Sequence, residues 1–198
     1  FSVLDGQASI PALVDKAIAD GMPGIAITDH GNMFGIKEFF NYVKKKNSKV
    51  NDAIKAAKKD IEKLEKGEIK PEKKNEGDEN TPENGEETPA ETPEEAIARL
   101  KGEIAALQKK LFKPIFGCEM YVANKSRFET TDKNDRGRHL VVLAKNEKGY
   151  RNLIKIVSNA WTEGFYSHPR TDKEDLAKYH EGLIVCSACL GGEIPRLI

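Results

Sequence analysis

Apolar residues along this chain recur with two periods. Leu13, Val14, Ala17 and Ile18 repeat at helical spacing, behind Ser9 as N-cap and Pro11 in the first turn, and Gly21 supplies the stop. Gly24 to Thr28 is a short apolar run of strand type, followed by a turn and a helix through Phe39, Phe40 and Val43. Pro114 to Ala123 and His139 to Ala144 predict strands, Glu147 to Trp161 predicts a helix, and Leu183 to Cys186 predicts a further buried strand. Strands alternating with helices predict an α/β fold with a parallel sheet, either open or closed into a barrel. In both, chemistry gathers at the carboxyl ends of the strands.

A different pattern interrupts this alternation. Val50, Ile54, Ala57, Ile61 and Leu64 step by 4, 3, 4, 3, and Ile97, Leu100, Ile104, Leu107 and Leu111 step by 3, 4, 3, 4. Both are heptad seams with charged residues on the remaining faces. The second opens on Thr92 as N-cap, Pro93 at the first helical position and Glu95 as the capping-box partner. Two short seams joined by a loop predict an antiparallel coiled-coil hairpin over 47–112, inserted between 1–46 and 113–198. Its tip, 67–93, holds nine acidic residues against three lysines, four prolines, and only Ile69 and Ala90 as apolar side chains. Such a stretch cannot bury enough surface to offset its ordering entropy, so it is expected to be disordered. The hairpin reads either as a solvated element without function or as a docking arm.

Charge and composition narrow the class further. The chain has 198 residues, 38% hydrophobic and 32% charged, with a formal net charge of zero. The acidic tip hides a mildly basic remainder, compatible with nucleic acid. No apolar run is long enough for a transmembrane helix, nothing at the start reads as a secretory signal, and three cysteines do not form a disulfide framework. A cytoplasmic location without membrane partners is the expectation. No GxxxxGK[ST], GxGxxG or GxSxG motif is present, which removes support for a phosphate loop, a Rossmann cofactor or a serine nucleophile.

The residues at strand ends are chemically distinctive. Thr28-Asp29-His30-Gly31-Asn32 follows the first strand, Glu119 lies in the Pro114 to Ala123 segment, His139 opens the next strand, and Cys189 follows the last. Imidazole, carboxylate and thiolate at one end of a sheet suit a borderline divalent ion such as zinc or manganese. Such an ion could activate water and neutralise a phosphoryl group. Each feature also has a structural explanation: Asp-His-Gly as a capping turn, His139 as a hydrogen-bonded surface residue, Cys118 as packing. Cys186-x-x-Cys189 lacks the second pair of a structural zinc site. Cys186 is expected to point into the core, leaving Cys189 for the site, while His168 and His180 lie in polar, loop-like segments and receive no role.

Six blocks carry a resemblance: Ser2 to Gly6, Ile27 to Gly35, Lys113 to Glu119, His139 to Asn146, Glu163 to Tyr166, and Gly182 to Pro195. In order and wording they resemble the polymerase and histidinol phosphatase (PHP) domain at the N-terminus of the alpha subunit of bacterial DNA polymerase III. The resemblance implies a distorted (β/α)7 TIM-like barrel holding up to three divalent metals, zinc or manganese. It implies Asp5, His30, Glu119, His139 and Cys189 as ligands, with Glu119 bridging and Asp29 orienting beside it in the catalytic role. Active members hydrolyse phosphoesters, in some polymerases as a 3′–5′ exonuclease; decayed members serve as scaffolds that dock a separate exonuclease. The parent chain would be a magnesium-dependent DNA polymerase, with DNA, a sliding clamp, a clamp loader and a proofreading exonuclease as partners. The family's opening His-x-His pair and late Asp-x-His pair have no counterpart here. The expectation is therefore a fragment, incomplete at both ends and catalytically poor alone, with 47–112 as an insertion that typical members lack.

Overall fold

The computed structural model describes residues 8–71 and 91–198. Asp5 and most of the acidic tip lie outside the described residues. The chain divides into two compact units, one formed by residues up to Lys45 together with Phe112–Ile198, the other by Lys46–Leu111.

In the first unit the elements run α1 (Ile10–Ala19), β1 (Gly24–Ile27), α2 (Ile36–Lys46), then β2 (Lys113–Val122), β3 (Arg138–Ala144), α5 (Glu147–Thr162), β4 (Phe165–Tyr166), β5 (His168–Thr171), α6 (Lys173–Lys178) and β6 (Leu183–Ser187). A 3-10 turn at Ile194–Arg196 follows. The second unit supplies α3 (Ser48–Glu65) and α4 (Pro93–Lys109). Ser9 caps α1 by accepting from the Ala12 amide at 3.3 Å. Asn146 caps α5 through the Gly149 amide at 2.9 Å, and a Cβ on Gly149 would fall 1.8 Å from the Gly182 carbonyl. Only glycine lets α5 approach that loop so closely.

The sheet is open and mixed among the described residues, which corrects the expectation of an all-parallel sheet. Its order is β4-β5-β2-β3-β6, with β1 also pairing β2. β1 and β5 pair β2 in parallel, while β3 is antiparallel to both β2 and β6. Residues 123–137 join β2 to β3 without a helix, and a parallel pairing needs a crossover of that kind. β1, β2, β5 and β6 therefore share one direction, and β3 returns against them.

Alternation along β2 sorts its two faces. Cys118, Met120 and Val122 are buried, and Cys118 and Met120 pack, directly or through neighbours, with Val142 of β3 and Leu153 and Ile156 of α5. Gly117, Glu119 and Tyr121 belong to the opposite face. A second core joins Val14 and Ala17 of α1, Phe39 and Val43 of α2, Ile27 and Phe112. Each fully buried side chain of this size contributes about 1.5–3 kcal/mol. β6 departs from its expected burial: Ile184, Val185 and Cys186 are exposed. It is an edge strand of the described sheet: Leu183 at its start packs against the core, but Cys186 does not enter it.

The connection between β2 and β3 is fixed by buried charge. Arg170, wholly buried, reaches Asp135 at 3.3 Å and donates to the Glu129 carbonyl at 2.7 Å. Asp135 also accepts from the Asn124 amide at 3.0 Å. Arg127 meets Asp172 at 3.0 Å, and Asp172 caps α6 through the Asp175 amide at 2.9 Å. Buried ions of this kind persist only when paired and hydrogen-bonded.

In the second unit, Ile54, Ala57 and Leu64 of α3 bury against Ala96, Leu100 and Ile104 of α4. Asp60, Lys63 and Leu64 share a groove with Ala96, Arg99 and Leu100, so the end of α3 lies beside the start of α4 and the helices run antiparallel. Thr92 and Glu95 form a reciprocal capping box at the start of α4.

Candidate metal centre

The reversed direction of β3 assembles the site. Its amino end, His139, arrives beside the carboxyl ends of β1, β2 and β6, which carry His30, Glu119 and the loop to Cys189. In the antiparallel register Tyr121 is opposite His139 and Glu119 opposite Val141. Glu119 and His139 are therefore diagonal neighbours on one face of the sheet.

Each group is held by backbone. After β1, the chain stays bonded to β2: the Glu119 amide donates to the Asp29 carbonyl at 3.0 Å, and the Gly31 amide donates to the Glu119 carbonyl at 2.8 Å. Gly31 has φ +65°, and a Cβ there would meet Pro169 at 2.7 Å. Trp161 Nε1 donates to the Gly31 carbonyl at 2.8 Å, and Asn32 Nδ2 donates to the His30 carbonyl at 2.9 Å. These contacts set His30 over β2. On the other side, the His139 amide donates to the Gly191 carbonyl at 3.2 Å, and Gly192 donates to the Cys189 carbonyl at 2.8 Å. The Cys189 loop is thereby folded onto the start of β3.

The side chains converge. Glu119 Oε1 lies 2.8 Å from His139 Nδ1, and Cys189 Sγ lies 3.2 Å from the same nitrogen. One ligand atom from each of Glu119, His139 and Cys189 falls within 4.8 Å of the others. Metal–ligand bonds of about 2.0–2.3 Å place donor atoms about 3.3–3.8 Å apart across a tetrahedron, close to this spacing. Glu119 Oε2 points to His30 Nδ1 at 3.6 Å, too far for a hydrogen bond. That nitrogen is buried and has no hydrogen-bond partner. A buried polar atom left without a partner costs about 1–3 kcal/mol, so an orphaned imidazole nitrogen facing a carboxylate fits a place for a cation. The Gly191 amide donates to Cys189 Sγ at 3.4 Å and helps to hold the side chain in place.

The structure thus brings Glu119, His139 and Cys189 together, with His30 beside them. Asp29 points elsewhere: its Oδ2 lies 2.9 Å from where a Cβ on Gly35 would stand, next to the start of α2. Cys118 faces the core, and burial pushes its thiol up to about 12, which leaves it inert.

One neighbour of the site was not legible in the sequence. His168, assigned to a loop, stands on β5, and its ring stacks on Tyr121 at 4.6 Å; Tyr121 meets His139 edge-on at 5.2 Å. Burial, with Arg136 and His139 nearby, holds the His168 imidazole below its ordinary pKa. The Gly-Phe-Tyr block beside it marked a structured turn, but strands of two and four residues show no period to read. His180 instead caps a helix end, with Nδ1 2.6 Å from the Ala177 carbonyl.

The chain matches the PHP domain family over residues 1–80 and 86–198. It is 35% identical over 200 residues to a Borreliella burgdorferi protein and 35% identical over 200 residues to one from Treponema pallidum. A Thermus aquaticus protein is 32% identical over 205 residues. All three bear the name DNA polymerase III subunit alpha, and each alignment covers 100% of this chain. The chain spans only 11–12% of the length of these relatives.

Proposed function

Since the chain belongs to the PHP domain family, we propose that it is the PHP domain of a DNA polymerase III alpha chain, and that its strand-end cluster is a divalent-metal phosphoesterase centre. The observation that carries this reading is the orphaned, buried Nδ1 of His30 facing Glu119, with His139 and Cys189 closing the other side. Glu119, His139, Cys189 and His30 would hold the metal, with Asp5 completing the set. A thiolate among imidazole and carboxylate donors favours zinc, with manganese as the alternative. In a closed (β/α)7 barrel of PHP type, further strands would cover β6, and 47–112 would be an insertion.

A bound divalent ion would supply Lewis acidity for phosphodiester hydrolysis. The chain's own residues do the rest. Glu119 presents one oxygen to each imidazole: Oε1 holds His139 Nδ1 at 2.8 Å, and Oε2 faces the unpartnered His30 Nδ1. The edge of His139 rests against Tyr121, which limits its rotation. Asp29 braces the turn carrying His30 through its carbonyl. In the reaction, water oxygen forms a new bond to phosphorus, the bond from phosphorus to the leaving sugar oxygen breaks, and that oxygen takes up the proton lost by water. In a replicative polymerase, such a centre would act on a DNA 3′ end as a proofreading exonuclease. Polymerase activity, DNA and the other replicase subunits enter with the same proposal. Among the described residues no helix is long and apolar enough to cross a membrane.

The test uses the full-length protein and a single-stranded DNA labelled at its 5′ end. Zinc or manganese should support stepwise shortening from the 3′ end, and Glu119→Gln should reduce it at least about 100-fold, the scale for loss of a ligand-positioning group. Shortening that survives Glu119→Gln unchanged would overturn the assignment.

A further inference from the structure

Beside the metal centre lies a second concavity, lined by Ala123, Asn124, Arg138, Lys173, Glu193, Arg196 and Leu197. Three cations from three separate segments meet there: Arg138 from β3, Lys173 from α6 and Arg196 from the 3-10 turn. A single carboxylate, Glu193, opposes them and is taken by Lys173 at 2.6 Å. Arg138 Nε donates to the Asn124 side-chain oxygen at 3.1 Å, which fixes the guanidinium without neutralising it. The Arg196 side chain has no hydrogen bond or ion pair among the described residues. The cleft therefore carries excess positive charge toward solvent.

Its position relative to the metal centre defines the ligand. Arg138 precedes His139, and successive strand residues face opposite sides of a sheet. Val122, the partner of Arg138 in the register, lies on the core-facing side, whereas Tyr121, the partner of His139, lies on the site side. Glu193 follows Gly192, which bridges to His139. Cleft and metal centre are thus two sides of the same strand end and the same loop. A single phosphate at the metal centre cannot also occupy the cleft. A polymer with phosphates at short, regular spacing can pass over the strand end and use both.

Resting on the phosphoesterase reading above, we propose that the Arg138–Lys173–Arg196 cleft holds the backbone of single-stranded DNA next to the metal centre. The contacts are of the positioning kind, cation to phosphate, and carry no base preference. The half-buried Tyr121–His168 stack touches His139 through Tyr121 and offers a ring surface of the kind that single-strand binders use. The cleft makes the domain selective for a polynucleotide over a small phosphoester.

The experiment is a fluorescence-anisotropy titration of a labelled twelve-thymidine oligonucleotide with the 198-residue chain, in chelator, from 50 to 200 mM salt. Without metal, the result does not depend on the phosphoesterase reading. The two guanidinium groups that no carboxylate neutralises predict a slope of log affinity against log salt of about −1.4, at about −0.7 per contact for single strands. The double substitution Arg138→Ala with Arg196→Ala should bring the slope close to zero and weaken binding at 50 mM salt at least about tenfold. Arg138→Lys with Arg196→Lys should keep the native slope, which separates lost charge from lost folding. No binding by the native chain, an unchanged slope in the alanine variant, or equal competition by polyglutamate would each overturn the proposal; the last would mark the cleft as a seat for an acidic protein.

Discussion

Three thiols in this chain share one chemistry and differ only in placement, so they test the residue-level account directly. Cys118 is wholly buried against Val142 and Leu153, while Cys186 and Cys189 are exposed. With its thiol pushed up to about 12, Cys118 holds almost no thiolate at neutral pH. Iodoacetamide should label Cys186 and Cys189 in the folded protein and leave Cys118 untouched until denaturant is added. Zinc should then protect Cys189 and leave Cys186 reactive, as peptide mapping would show. Early labelling of Cys118, or equal protection of the two exposed thiols, would contradict the placement. In the sequence, the side-chain types at the site were legible because few other residues could serve that chemistry. Their directions were only partly so. Alternation along Cys118-Glu119-Met120 separates core from site, but the exposure of Cys186 depends on β6 standing at the sheet edge, which no local pattern records.

Capping residues and heptad seams were readable at the level of elements because their signals are local. Ser9, Thr92 and Asn146 each accept the backbone bond that their position calls for. Strand direction was not readable: an apolar run of seven residues is the same read either way, and β3 lies antiparallel because its connection to β2 carries no helix. The short β4, β5 and α6 escaped for want of length, although β5 and α6, with Asp172 between them, carry buried paired charges. Asp172 illustrates this. Burial pushes its carboxyl up, but the backbone amides of Arg127 and Asp175 and the Arg127 guanidinium outweigh that and hold it below the usual range. A depressed carboxylate stabilises the fold fully above its unfolded pKa, about 3.9, and that contribution is lost as pH falls through the folded value. Asp172→Asn should cost about 3 kcal/mol at pH 7, the scale for breaking one side of a buried pair. The gap in melting temperature between variant and native chain should narrow as pH drops below about 4. A gap of constant width across that range would show that the charge of Asp172 does not hold the β2–β3 connection to α6.

For the whole molecule, each of the two units has its own apolar core, and the chemistry-bearing side chains described here all belong to the first. That unit turns one reversed strand into a meeting point for His30, Glu119, His139 and Cys189, and the cationic cleft shares the same strand end. The central claim is that this meeting point binds a divalent metal through Glu119. Elemental mass spectrometry on the full-length protein, purified without chelator and dialysed against metal-free buffer, tests it most directly. The native protein should retain at least about one zinc or manganese per chain, and Glu119→Gln should retain at least about tenfold less, in line with the loss expected when a supporting ligand is removed. Native protein that keeps no metal after zinc and manganese are supplied, or a Glu119→Gln variant that keeps as much as the native protein, would contradict the account.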